Sequence, residues 1–312
     1  MRRTLVLSIL IVACFAFSFL AKMWMQRKQS AEETASIQSV APQSREGGYY
    51  RIVSLAPSIT ENLYFLGLMD RVVGVTRYCD FPPEALKKTK IGGYYDPNYE
   101  AIVALKPDLI IMLEEDEDPR EYLGRLGFNI IVVNHKSIAG IMESIELIGG
   151  ACGVYVKAES ITADLQARMK RIEDKTVGLP SPRVMVSIGR NMGTGTLKDV
   201  YISGKEGFYD EMIERLGGTN AYPGKVAFPV VSSEGIIQMN PDVIIDIVPD
   251  LKERGWNTDL VVKEWATLPH VNAVRNHRIY VFGEDYAAVP GPRFIFIMEK
   301  MARVMYPDAD WE

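Results

Sequence analysis

Glu100-Ala-Ile-Val-Ala-Leu-Lys-Pro107-Asp-Leu-Ile-Ile111 recurs later in the chain as Glu234-Gly-Ile-Ile-Gln-Met-Asn-Pro241-Asp-Val-Ile-Ile245. Each copy reads as a two-turn helix, a proline stop and a fully buried strand. Asn98 and Ser232 precede the two glutamates by two residues, where an N-cap belongs. A repeat of this kind implies two similar lobes related by an approximate symmetry. It also puts a carboxylate at an equivalent spot on each lobe. Helix-dipole stabilisation, about 0.3–1 kcal/mol for an acidic residue in a first turn, would by itself account for Glu100 and Glu234.

Outward from the repeat, short β-branched runs alternate with amphipathic stretches, the pattern of α/β layers. Strands are expected at Arg51–Leu55, Val72–Val75, Leu109–Met112 and Ile130–Val133, then at Val184–Ile188, Val243–Ile247 and Ile279–Phe282. Between the first two, Ser58-Ile-Thr-Glu61 fits a capping box and Gly67 supplies the stop. Val156–Val177 contains neither Pro nor Gly, and Ile161, Leu165, Met169 and Ile172 recur at helical spacing. Gly178-Leu-Pro180-Ser-Pro182 then breaks the pattern. One helix of roughly 30 Å therefore separates two α/β halves and suggests a stiff hinge. The expected fold is α/β: two lobes, each a mainly parallel sheet flanked by helices, joined by one long backbone helix. The N-terminal lobe spans residues 49–155, the helix 156–178 and the C-terminal lobe 179–312.

The first residues differ from the rest. Arg2 and Arg3 precede an apolar stretch of 18 residues, Thr4–Ala21, which Lys22, Arg27 and Lys28 follow. Residues 1–28 read as a signal sequence or as a membrane anchor, since a span needs about 20 apolar residues. Ile11-Val12-Ala13-Cys14 resembles a lipobox, with Cys14 as the lipidation point, although Phe15, Phe17 and Phe19 keep the run apolar beyond it. All three readings (anchor, lipidation, cleavage) export the remainder. Residues 29–48 are rich in Ser, Gln, Glu and Ala and read as a tether.

Composition and motifs narrow the functions. The net charge is −5 with no long basic run, which argues against a nucleic-acid partner. Gly218–Gly224 followed by Lys225 has the wrong spacing for a phosphate loop, and Gly-x-Ser-x-Gly is absent. Gly189–Gly195 lacks dinucleotide spacing. His135, His270 and His277 are scattered, which disfavours a bare-metal site. Beyond Cys14 only Cys79 and Cys152 remain, read as two unpaired, buried thiols. An enzyme with its site between two α/β domains, such as a reductase or glycosyltransferase, is a remote reading. A tethered ligand sensor is another.

Arg51-Ile-Val-Ser-Leu-Ala-Pro-Ser-Ile-Thr-Glu61, Tyr78-Cys-Asp-Phe-Pro-Pro83 and Ile102–Ile111 stand in order with Ser203-Gly-Lys-Glu206, Gly217-Gly-Thr-Asn220 and Gly291-Pro-Arg293. Together they resemble the helical-backbone periplasmic binding proteins of ABC importers, over Arg51 to Pro307. The nearest group is the cobalamin-binding receptors, with siderophore and haem receptors as cousins. The resemblance implies a monomer without enzymatic activity or resident cofactor, on the periplasmic or extracytoplasmic face of the membrane. Its cargo would be a corrinoid, or alternatively haem or a ferric siderophore, delivered to permease subunits and their ATPase. It also implies that Glu100 and Glu234 dock on arginines of the membrane subunits. The positions matching ligand-cleft aromatics are Tyr78, Tyr94, Phe228 and Tyr286, with Tyr95 and Arg190 as neighbours. Cobalamin receptors often carry tryptophan where this chain has Tyr94, Phe228 and Tyr286. Haem receptors place an axial tyrosine near Tyr94, whose phenolate a neighbouring Arg77 would favour. Arg77, Arg190 and Arg293 could instead grip siderophore carboxylates or catecholates, although Arg293 fits a local cap or pair at the last helix.

Overall fold

The computed structural model describes residues 48–249, 251, 253 and 255–311. The readings of residues 1–28, including Cys14, and of nearly all the 29–48 tether lie outside them. Among the described residues no helix is long and apolar enough to cross a membrane.

The first half builds a five-stranded, wholly parallel sheet. Its strands are β1 (Ile52–Ser54), β2 (Val72–Val75), β3 (Thr89–Lys90), β4 (Leu109–Leu113) and β5 (Ile130–Val133), in the order β3-β2-β1-β4-β5. Helices α1 (Pro57–Phe65), α2 (Tyr99–Ala104), α3 (Glu117–Arg125) and α4 (Ile138–Ala151) accompany it. The backbone helix α5 (Tyr155–Thr176) follows, 22 residues long. The second half carries β6 (Arg183–Gly189), β7 (Val200–Ile202), β8 (Thr219–Asn220), β9 (Val230–Val231), β10 (Val243–Ile247) and β11 (Ile279–Phe282). Their order is β11-β10-β6-β7-β9, with β8 beside the start of β6. Only the β6–β7 and β7–β9 pairs are antiparallel. Helices α6 (Phe208–Arg215), α7 (Ser233–Met239), α8 (Thr258–Trp265), α9 (Asn272–Arg275) and α10 (Phe294–Met305) complete this half.

All seven expected strands are present. The apolar runs of β1, β4 and β10 are buried on both faces, as a parallel sheet covered by helices requires, whereas the edge strands β5 and β11 are only partly buried. The short strands β3, β7, β8 and β9 are additional.

The repeat exists in three dimensions down to single hydrogen bonds. The Asn98 side chain accepts from the Ala101 N–H at 2.9 Å, and Ser232 accepts from the Gly235 N–H at 3.3 Å. Both helices end through a left-handed residue before the proline, Lys106 at φ 47° and Asn240 at φ 44°. The aspartate of each Pro-Asp then receives backbone N–H groups from the start of its lobe's first strand. Asp108 accepts from Arg51 at 2.8 Å and Asp242 from Arg183 at 3.0 Å.

The backbone helix packs against both α4 and α10. It buries Leu165, Met169 and Ile172 in a hydrophobic core that runs through both halves. This helix is therefore a keel embedded in shared core rather than a bare strut. Cys79 and Cys152 are buried, unpaired thiols.

One local reading is corrected. Pro57, with its fixed φ and missing N–H, starts α1 directly after Ala56, so Ser58 lies inside the helix and caps nothing. Its hydroxyl is 2.7 Å from His135 Nδ1, and Glu61 reaches across to Arg293. Gly67, at φ 74° just past the helix, does provide the stop.

Candidate functional site

In parallel sheets the carboxyl ends of the strands meet the following loops in a crevice, and ligands bind there. Both sheets of this protein present those ends to the same space. A cavity of about 630 Å³ is lined by Pro57 and Glu61 after β1, by Tyr78, Asp80 and Phe81 after β2, by Ile188, Gly189, Arg190 and Met192 around the end of β6, and by Ile247–Pro249 at the end of β10. A second, of about 470 Å³, is lined by Leu113 at the end of β4 and Glu115 after it, by His135 and Lys136 after β5, and by Phe208, Tyr209 and Phe228 of the second half. Ile188, Ile247 and Ala288 line both, so the two form one cleft with a shared floor.

The predicted site residues fall into three groups. Tyr78 and Phe228 line the cleft and are exposed, Tyr78 at one end and Phe228 at the other. Tyr94 and Tyr95 pack edge to face at 4.6 Å between ring centroids in the loop before α2. Neither lines the two cavities. Tyr95 is 92% exposed, whereas Tyr94 leans on the core. Tyr286 packs toward α10, its ring 5.8 Å from Phe296, and lines neither cavity.

Tyr94 is held as a phenol. Burial, then the carboxylates of Asp116 and Glu115, push its ionisation well above the ordinary range. Burial in turn pushes Asp116 up to about 6. Arg77, which was to favour the phenolate, is instead paired with Asp96.

Arg190 lines the cavity, but its side chain is 1% exposed and committed. Nε donates to Asp246 at 3.0 Å and Nη1 to Glu264. Burial opposes the charge of Glu264, yet Arg190 and the N–H groups of Gly193 and Gly195 hold that carboxyl below its usual range. Arg293, expected to pair locally, does so with Asp285 at 2.8 Å. It also crosses the chain to Glu61 at 2.6 Å. Its guanidinium lies 3.8 Å from the centroid of the Phe81 ring. Burial disfavours the Arg293 charge, but Glu61 and then Asp285 raise its pKa above the ordinary value.

His135 is buried between Ser58 at 2.7 Å and Ser144 at 2.8 Å, and burial pushes its pKa down to about 4. The ring is neutral, with both nitrogens occupied. Among the described residues no group of His, Cys, Asp or Glu is arranged to hold a metal ion.

Glu100 and Glu234 are exposed, each the second residue of its capped helix. Their helices follow β3 and β9, which run in the same sense as the main parallel strands of their sheets. Both carboxylates therefore stand at the strand-end side of their lobes, the side that forms the cleft. The backbone N–H of Glu234 itself and the Ser232 hydroxyl hold the Glu234 carboxyl below its usual range.

Residues 52–286 match the family described as periplasmic binding protein. This chain belongs to that family. It is 32% identical over 268 residues to the ABC transporter substrate-binding lipoprotein YvrC of Bacillus subtilis, covering 83% of this chain and 80% of that protein. Its fold is similar to that of the periplasmic vitamin B12 binding protein of Vibrio cholerae, with TM-score 0.70 and 26% identity over 83% of this chain and 97% of that one. It is equally similar to a periplasmic haem-binding protein from Roseiflexus sp. RS-1, with TM-score 0.71 and 25% identity over 83% and 99% of the two chains. The protein is thus an ABC-type substrate-binding protein of the group whose members include vitamin B12, haem and iron binders.

Among the cleft residues that the sequence did not flag as ligand contacts are Asp80, Phe81, Met192, Val248 and Val289. They occupy loops, where no periodicity distinguishes them. The available signal was topological: most of them follow the carboxyl end of a core strand.

Proposed function

We propose that this protein captures a corrinoid between its lobes on the extracytoplasmic side and delivers it to the membrane subunits of an ABC importer. The single observation that carries the cargo assignment is charge. Seven carboxylates line the two cavities against three cations. Each of those cations is already paired: Arg190 and Arg293 as above, and Lys136 with Glu114 and Glu115. Among the described residues the cleft thus offers no uncommitted cation. Haem propionates and siderophore carboxylates or catecholates are held best by such a cation. A corrinoid presents a flat ring rimmed by neutral amides, which apolar walls with hydrogen-bond acceptors suit. Tyr94 lines neither cavity, which weighs against an axial phenolate in the same way. The vitamin B12 binding relative supports the same cargo.

Delivery rests on Glu100 and Glu234, equivalent by the repeat and exposed on the cleft side of each lobe. Exposed ion pairs contribute about 0.2–1 kcal/mol each, so two of them orient the docked protein and still let it leave. The N-terminal segment, through an uncleaved anchor or a lipid on Cys14, would keep it at the membrane. Reversing both charges, Glu100→Arg with Glu234→Arg, is expected to abolish uptake in cells while ligand affinity of the purified protein is retained. Uptake that survives the double reversal would return both glutamates to a helix-dipole role.

A further inference from the structure

Two arginines line the larger cavity, and each is held between two carboxylates. Arg190 lies between Asp246 and Glu264. Arg293 lies between Glu61 and Asp285. A guanidinium in the wall of a ligand cleft is the strongest available grip for an anion, because its N–H groups meet a carboxylate in pairs. At Arg293 that grip is already filled. Nη2 donates to Glu61 and Nη1 to Asp285, and the flat side stacks on Phe81. Only Nε lacks a partner.

The filling group comes from the other half of the molecule. Glu61 belongs to α1 of the first lobe and is 1% exposed, with one carboxylate oxygen unpartnered. Gly291 makes room for it, since a Cβ there would stand 2.8 Å from Glu61 Oε2. A buried carboxylate with an unsatisfied oxygen is an unfavourable choice for simple packing. Its effect on the cleft is specific: it occupies the guanidinium of an arginine, Arg293, poised between the two lobes.

We infer that Glu61, together with Asp285, is a charge mask that determines specificity by denying anionic ligands the Arg293 guanidinium. The inference rests on the cleft being the ligand site, not on the ligand being a corrinoid. The mask is assembled only when the lobes are together, because its two carboxylates come from different lobes.

The test uses Glu61→Gln, nearly isosteric, and Asp285→Asn, whose exposed position makes loss of folding no concern. Sulfate at constant ionic strength is the first probe, read as a rise in Tm over the same salt as chloride. Both variants are expected to show a larger sulfate-specific rise than the unaltered protein. The second probe compares cyanocobalamin with a corrinoid whose side-chain amides are hydrolysed to carboxylates. The unaltered protein should prefer the amide form, and Glu61→Gln should narrow that preference at least tenfold. Equal sulfate response in all three proteins, or an unchanged preference in folded variants, would overturn the mask. If neither corrinoid binds the unaltered protein, the cargo assignment fails, and the sulfate comparison decides the mask alone.

Discussion

Glu61 shows how a single residue can be legible in composition and illegible in role. Its spacing from Ser58 fits a capping box, and nothing nearby in the chain contradicts that. The partner that decides its role, Arg293, is 232 residues away, beyond the reach of any local pattern. Removing one member of a buried ion pair leaves the other charged and unpaired, which costs about 3–5 kcal/mol. Arg293 keeps Asp285 at 2.8 Å when Glu61 is removed, so Glu61→Ala should lower the stability measured by urea unfolding by less than that, about 1–3 kcal/mol, whereas replacing both members with apolar residues of similar size should cost less still.

His135 makes a second residue-scale prediction. Its folded pKa of about 4 lies below the ordinary value of about 6.5, because burial disfavours the charged ring. The unfolded chain therefore binds more protons between those two pH values. Stability present above pH ~6.5 is lost as pH falls toward about 4, by up to ~1.4 kcal/mol per pH unit. His135→Gln should flatten that part of the pH profile of unfolding.

At the scale of elements, the core strands were readable because each is a short run rich in β-branched residues between turn signals. The backbone helix was readable because 22 residues give several turns of consistent period. Strands of two or three residues, such as β3 and β8, are too short to carry any period. They form because neighbouring strands offer a free edge. The repeated helix is the best-specified element, since the same cap, left-handed stop and aspartate tie appear twice. Asn98→Ala and Ser232→Ala should each cost about 1 kcal/mol, read as a fall in Tm. The two losses should add, since the caps belong to separate helices with no shared partner.

For the molecule as a whole, the repeat and the long helix foretold two lobes, and the strand ends show why a cleft forms between them. Of the aromatics the sequence offered, Tyr78 and Phe228 line the two cavities. Tyr286 packs toward the last helix, and the Arg190 side chain is paired with Asp246 and Glu264. Which way a side chain turns depends on packing between segments far apart in sequence, and that information emerges only when both halves assemble. The resulting cleft is apolar, acidic and without an available cation among the described residues. The measurement that tests this account most directly is a titration of the purified protein with cyanocobalamin and, separately, with haem, followed by absorbance and tryptophan fluorescence. The account predicts saturable cobalamin binding below about micromolar, equivalent to at least ~8 kcal/mol, and far weaker haem binding. Haem bound more tightly than cobalamin, with a Soret band that Tyr94→Ala alters, would contradict it.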